Sequence, residues 1–133
     1  MAMTLEFELV SPEQLLMSEA VSMVVVPGTE GDFGALPQHT PLLSSVRNGV
    51  IEVYSAEKPI RRIFVAGGFA EVTNTRCTVL AEEAVPLDRI TRVEAEERYR
   101  NAQDRLRQLM DSTETVEAEK ELAIAKALLD SLS

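Results

Sequence analysis

The chain has no tryptophan, one cysteine and one histidine among its 133 residues, and its 13 Lys and Arg face 22 Asp and Glu, a net charge of −9. Each scarcity closes off a class of chemistry. A single cysteine, Cys77, makes no internal disulfide and falls short of the thiolate pairs that zinc sites use, which favours a reducing compartment. With His39 as the only imidazole there is no His-x-x-x-His spacing, and no transition-metal site is expected. The deficit of positive charge argues against nucleic acid or an anionic membrane surface as partner, because both need clustered Lys and Arg. Long apolar runs are missing too. The longest, Met23 to Val26, is far below the ~20 residues of a membrane-spanning helix, and the first residues carry acids where a signal peptide needs bases. Any membrane contact is therefore expected through another protein. What remains, 45% hydrophobic and 26% charged residues, is the composition of an ordinary globular protein with a packed core, and the length allows one domain or one domain plus an appendage.

Glycine and proline are absent from the last third. All six glycines lie between Gly28 and Gly68 and all six prolines between Pro12 and Pro86, so the chain changes character near Pro86. Before that point it reads as short strands. Thr4 to Val10 alternates, with Leu5, Phe7 and Leu9 on one face against Glu6 and Glu8. Further β runs are Leu16 to Val21, Ser22 to Val26, Leu42 to Val46, Val50 to Tyr54, Ile60 to Ala66, Phe69 to Thr73 and Thr78 to Ala81. Asn48-Gly49 suits a tight hairpin with positive φ, Glu57-Lys58-Pro59 a loop, and Asn74-Thr75 a strand connection. Many short strands with frequent turns imply an antiparallel sandwich or barrel.

Beyond Pro86 the period is helical. Ala95, Tyr99, Ala102, Leu106 and Leu109 form one stripe, Ala118, Leu122, Ala125, Leu129 and Leu132 a second, with the polar run Asp111 to Thr115 between them. Two narrow stripes joined by a short polar break predict an antiparallel helical hairpin. The division is placed at residues 1–85 and 86–133.

Candidate chemistry is sparse. Gly28, Gly31 and Gly34 make the densest glycine segment, but no Gly-Lys-Ser/Thr follows and Glu30 and Asp32 would repel an anion, so these glycines are read as allowing positive φ or close approach in a loop between strands. Gly67 and Gly68 fit a tight reversal or a bulge. Nucleophilic catalysis would need Ser44 or Ser45 activated by His39 and oriented by Asp32, and no nucleophile turn surrounds either serine. Cys77 lies in an apolar β run and reads as a core residue.

Taken in order, Pro27-Gly28-x-x-Gly31-x-x-Gly34-x-Leu36-Pro37-x-His39-x-Pro41-Leu42-Leu43, Gly49, Gly67-Gly68-Phe69-Ala70-Glu71-Val72 and Val79-Leu80-Ala81-Glu82-Glu83-Ala84 resemble the epsilon subunit of bacterial F-type ATP synthases. The resemblance spans most of the first 85 residues, and the helical last third agrees with it. It implies a ten-stranded antiparallel β sandwich followed by a two-helix hairpin. It also implies a central-stalk rotor subunit without an active site, bound to the gamma subunit and the ring of c subunits at the cytoplasmic face of the bacterial inner membrane. Glu30, Asp32 and His39 match the ring-facing loop and become ring-binding candidates. In some members the helices bind ATP through Ile or Leu, Asp, two residues and Arg. Here Leu87-Asp88-Arg89-Ile90-Thr91-Arg92 displaces the arginine by one position, a rotation of ~100° on a helix, so Asp88 and Arg92 stand as nucleotide candidates that the departure argues against. The alternative role of Asp88 is to cap the first helix. No other cofactor is assigned. In many members the hairpin inhibits ATP hydrolysis through basic residues that meet the beta and alpha subunits. Arg98, Arg100, Arg105 and Arg107 supply attraction for this on the first helix, while the second helix is net acidic and would weaken it. Two rival readings are a stand-alone regulatory adaptor with a similar sandwich and a small enzyme using His39.

Overall fold

Alternation in the first strand carries through to the core: β1 (Leu5–Val10) buries Leu5, Phe7 and Leu9 and turns Glu6 and Glu8 outward. The structure is a computed structural model that describes residues 3–109 and 112–132. Within it the strands continue as β2 (Leu15–Val21), β3 (Met23–Gly28), β4 (Gly31–Ala35), β5 (Leu42–Ser45), β6 (Gly49–Tyr54), β7 (Arg61–Val72) and β8 (Arg76–Pro86). A 3-10 turn at Leu87–Arg89 follows, then α1 (Arg92–Gln108) and α2 (Ser112–Ser131). The chain divides into two compact units, Met1–Pro86 and Leu87–Ser133.

The strands form a hydrogen-bonded path β2-β1-β8-β7-β6-β3-β4, with β5 on β7. The path wraps into two layers because β7 and β8 are long and each serves both. The first half of β7 pairs with β6 and the second half with β5, while only Arg76 to Leu80 of β8 pairs with β1. The eight strands thus supply five segments to each layer, which reconciles them with the ten strands that the family resemblance implies. One ladder departs from the antiparallel expectation. β1 and β8 run parallel, which their long intervening connection permits. Both inner faces feed one core, including Phe7, Val24, Ile51, Val53, Val65, Val72, Cys77 and Val79. Each large apolar side chain enclosed there contributes about 1.5–3 kcal/mol against chain entropy.

Three expectations about turns change. Gly67 and Gly68 do not reverse the chain; the register with β8 is the same on both sides of them, and they bend one continuous strand from the first partner to the second. Gly68 sits at φ +121°, and a Cβ there would lie 1.8 Å from the Leu80 carbonyl oxygen. Asn48-Gly49 is not a hairpin, and neither residue has positive φ, because β5 and β6 both pair with β7 and the chain crosses between layers at that point. The polar run before α2 is shorter than expected, since Ser112 already opens the helix; Asp111 lies outside the described residues.

In the second unit α1 and α2 pack as a pair, burying Ala95 and Ala102 from one helix and Ala118, Ile124, Ala125 and Leu128 from the other. Leu122 and Leu129 of the expected second stripe are only half-buried, and Ile124 and Leu128 take the inner positions. Thr91, not Asp88, caps α1: its hydroxyl accepts from the Glu94 N–H at 3.1 Å and the Glu94 carboxylate accepts from the Thr91 N–H at 3.0 Å. These bonds hold the Glu94 carboxyl below the usual range, the backbone bond most of all.

Across the open edge of the sandwich Arg61 at the start of β7 pairs with Glu19 on β2 and also donates to Ser55 Oγ at 3.0 Å, and both charged side chains are less than a third exposed. The hydrogen bond from Arg61 lowers the Glu19 pKa from its ordinary 4.5 and outweighs the opposing effect of burial. A carboxyl depressed in the folded state adds stability above its unfolded pKa and loses it as pH falls through the folded value. Glu19→Gln should therefore lower stability by roughly 1–2 kcal/mol near neutral pH. The gap to wild type should close in thermal melts as pH falls below about 4.5 and through the lowered folded-state value. A gap that stays constant across this range would mean that the pair carries no stability.

Candidate interaction surfaces

The glycine segment folds as a β-hairpin in place of the expected loop. β3 and β4 pair from Val24↔Ala35 to Gly28↔Gly31, leaving Thr29 and Glu30 as the turn. Glycine is needed at its two closing positions. Gly31 has φ +129°, and a Cβ on Gly28 would lie 2.8 Å from the Gly31 carbonyl oxygen. Gly34 departs from expectation, with no positive φ and only an ordinary contact of 3.5 Å to Met23 Sδ for an added Cβ. The turn is held from the β5–β6 connection. Thr29 N–H donates to the Ser45 carbonyl at 3.0 Å, and Arg47 N–H donates to that of Pro27 at 2.9 Å. The Arg47 guanidinium then donates to the Gly28 carbonyl at 2.6 Å and to Asp32 Oδ1 at 2.5 Å. Asp32 is thus engaged inside the chain. Glu30 is exposed and meets no cation among the described residues.

His39 is elsewhere. It lies in the connection from β4 to β5, where its Nδ1 donates to the Thr40 carbonyl at 2.5 Å and the neighbouring Gln38 N–H donates to the Asn74 carbonyl at 2.6 Å. That puts it beyond the far end of β4 from Glu30, roughly 14 Å of strand away. The structure therefore brings Glu30 and Asp32 together and keeps His39 apart. Ser44 Oγ donates to a backbone carbonyl, and among the described residues no hydrogen bond joins His39, Ser44 and Asp32 into a catalytic set.

The largest feature the sequence reading missed is an apolar row across the outer face of one layer. Leu15 pairs with Val10, Val10 with Leu80, and Leu80 with Phe69, so four strands place apolar side chains side by side. Phe69 and Leu15 are each 56% exposed and Leu80 52%, and Leu43, 71% exposed, stands nearby on the adjacent β5. Their strand neighbours Ala70 and Val79 point inward and are fully buried. The next row carries Glu71, Thr78 and Glu8, with Glu8 bound by Arg76 at 2.8 Å and by Thr78 at 3.3 Å. An apolar band with a polar border has the anatomy of a protein interface.

On the helices, Arg98 bonds Glu121 across the pair at 2.8 Å and Arg107 bonds Asp104. Arg100 and Arg105 are exposed and meet no acid among the described residues. Arg92, at the first position of α1, donates to Glu96 at 3.0 Å, whereas Asp88 is exposed in the preceding 3-10 turn. Among the described residues no hydrogen bond or ion pair joins these two nucleotide candidates. Among the described residues no group of three His, Cys, Asp or Glu is arranged for a metal. Burial pushes the Cys77 thiol up to about 12, far from the thiolate that reactivity requires. An open groove of about 270 Å³ is lined by Ser11 to Gln14, Leu16 and Glu82 to Ala84, and its carboxylates disfavour phosphate. Among the described residues no helix is long and apolar enough to cross a membrane.

Comparison with known proteins gives these surfaces a context. Residues 4–87 match the family described as ATP synthase, Delta/Epsilon chain, beta-sandwich domain. The ATP synthase epsilon chain of Rhodospirillum rubrum is 60% identical over 129 residues, covering 97% of this chain and 96% of that one. The epsilon chain of Rhodospirillum centenum is 51% identical over 135 residues, 98% of this chain and 92% of its own. A chain in the cryo-EM structure of the Euglena gracilis mitochondrial ATP synthase, OSCP/F1/c-ring, shares the fold with a TM-score of 0.81 at 23% identity, over 98% of this chain and 82% of that chain. On the matched sandwich and on relatives aligned over nearly its whole length, the chain belongs to the ATP synthase delta/epsilon family.

Proposed function

We propose that the chain is the non-catalytic epsilon-type subunit of the central stalk of an F-type ATP synthase, at the cytoplasmic face of a bacterial inner membrane. There it passes rotation of the proton-driven c ring to the catalytic sector through gamma. The observation that carries the gamma assignment is the row Leu15, Val10, Leu80 and Phe69, which runs across four paired strands of one outer face with Leu15, Leu80 and Phe69 each more than half exposed. Such a row needs an apolar cover, and gamma is the stalk partner with which a rotor subunit must move as one body. The hairpin tip at Glu30 suits a different neighbour, a polar loop carrying positive charge, which in this setting is the c ring. The helical pair is a weak regulatory element, because, of its four candidate arginines, Arg98 and Arg107 are already paired with acids of the same unit, and Arg100 and Arg105 are the two that meet no acid among the described residues. ATP is not assigned as a ligand.

The full chain mixed with its cognate gamma should elute as a one-to-one complex in size-exclusion chromatography with light scattering. The complex should survive about 0.5 M salt, because apolar contact is not screened. Absence of a complex with folded gamma would overturn the stalk reading in favour of a stand-alone adaptor.

A further inference from the structure

Arg47 stands on the crossing between β5 and β6, yet its side chain reaches the turn that joins β3 to β4. One Nη atom bonds the carbonyl of Gly28, the last residue of β3, and the other bonds the carboxylate of Asp32 on β4. The two contacts flank Thr29, Glu30 and Gly31. A planar guanidinium that grips both legs of a hairpin fixes their relative position in a way that a single ammonium does not. Backbone bonds from Thr29 to Ser45 and from Arg47 to Pro27 tie the same turn to the same crossing. The outcome is a braced tip on which both acids are exposed, Asp32 is ion-paired with Arg47, and Glu30 meets no cation among the described residues.

We infer that Arg47 is a positioning residue for the ring contact: it holds the Gly28–Gly31 turn so that Glu30 is presented to a basic polar loop of the partner. The inference rests on the reading of this tip as ring-facing. Charge and position predict opposite signs, which makes the idea testable. If attraction to a basic loop depended on net charge alone, removing Arg47 would make the tip more acidic and tighten the contact. If Arg47 positions Glu30, its removal loosens the contact in spite of the added negative charge.

The test rebuilds the full chain, as wild type, Glu30→Lys, Arg47→Gln or Arg47→Lys, into ATP synthase depleted of this subunit in liposomes. It reads the chain concentration needed for assembly and the protons pumped per ATP hydrolysed. Glu30→Lys and Arg47→Gln should each raise that concentration on the order of 10-fold, and Arg47→Lys should recover only part of the loss. Amide exchange at Gly31 and Asp32 in the isolated full chain should accelerate in Arg47→Gln and stay at the wild-type rate in Glu30→Lys. Wild-type or tighter assembly of Arg47→Gln beside a weakened Glu30→Lys overturns the positioning role and leaves the ring reading standing. Full recovery by Arg47→Lys overturns the need for the guanidinium fork. Wild-type assembly by Glu30→Lys removes the ring reading of the tip and this inference with it.

Discussion

Replacing Phe69 and Leu80 together with glutamate should abolish binding to gamma while leaving the sandwich folded. Both side chains are more than half exposed in the free chain, and their strand neighbours Ala70 and Val79 supply the core. The substitutions therefore remove little folding energy. In a complex each apolar side chain that is covered is worth about 1.5–3 kcal/mol, so losing two and burying carboxylates in their place should weaken the dissociation constant by a factor of at least ~10². Glutamates directly opposite one another on paired strands also repel, which costs a few tenths of a kcal/mol in the free chain and lowers its melting temperature only slightly. Titration calorimetry against gamma, with thermal melts of each variant, reads both quantities. Affinity within about threefold of wild type in a folded double variant would move the gamma surface off this face.

The reason this row escaped the sequence reading is physical. Leu80 lies inside the run Val79-Leu80-Ala81 and Phe69 beside Ala70, so alternation is masked where apolar residues occupy both faces of a strand. Only the cross-strand register, set by partners 5 to 70 positions away, aligns Leu15, Val10, Leu80 and Phe69. β1 was legible because its outer face is acidic, so Leu5, Phe7 and Leu9 stand out by contrast. β4 was not, because Gly31 and Gly34 dilute its β character and glycine at every third position from Gly28 resembles a loop. The capping box shows the same limit at short range. Asp88 looked like the cap because it precedes the helical period, but the reciprocal pair Thr91 and Glu94 satisfies two backbone donors where Asp88 would satisfy one.

The three ring-binding candidates show what resemblance carries and what it does not. Glu30, Asp32 and His39 fall within one short stretch of sequence, and the structure puts Glu30 in the turn before β4, Asp32 on β4 and His39 beyond its end. Asp32 turned out to be spoken for by Arg47, a residue 15 positions away that no local pattern marks. Sequence proximity therefore does not show how the three differ: Glu30 is exposed at the turn, Asp32 is exposed but paired with Arg47, and His39 lies past the opposite end of β4.

Gly68→Ala should have the largest effect on stability of any single methyl addition to this sandwich. The position combines two costs, a φ of +121° that an L side chain rarely adopts and a Cβ placed 1.8 Å from the Leu80 carbonyl oxygen. That oxygen belongs to the backbone of the paired strand, so no rotamer change relieves the clash and β7 must separate from β8. This is also where β7 passes from β6 to β5, so the displacement reaches both layers and disturbs Phe69 in the apolar row. A loss of about 3–5 kcal/mol is expected, which for a unit of this size lowers the melting temperature by at least roughly 12 °C. Gly34→Ala is the matched comparison, because its added methyl meets only Met23 Sδ at 3.5 Å with no positive φ, and it should change stability by less than about 1 kcal/mol. Equal melting temperatures for the two variants would mean that the bend at Gly68 relaxes freely. The sandwich would then owe its two-layer form to the connections at either end of β7, not to the glycine pair in its middle.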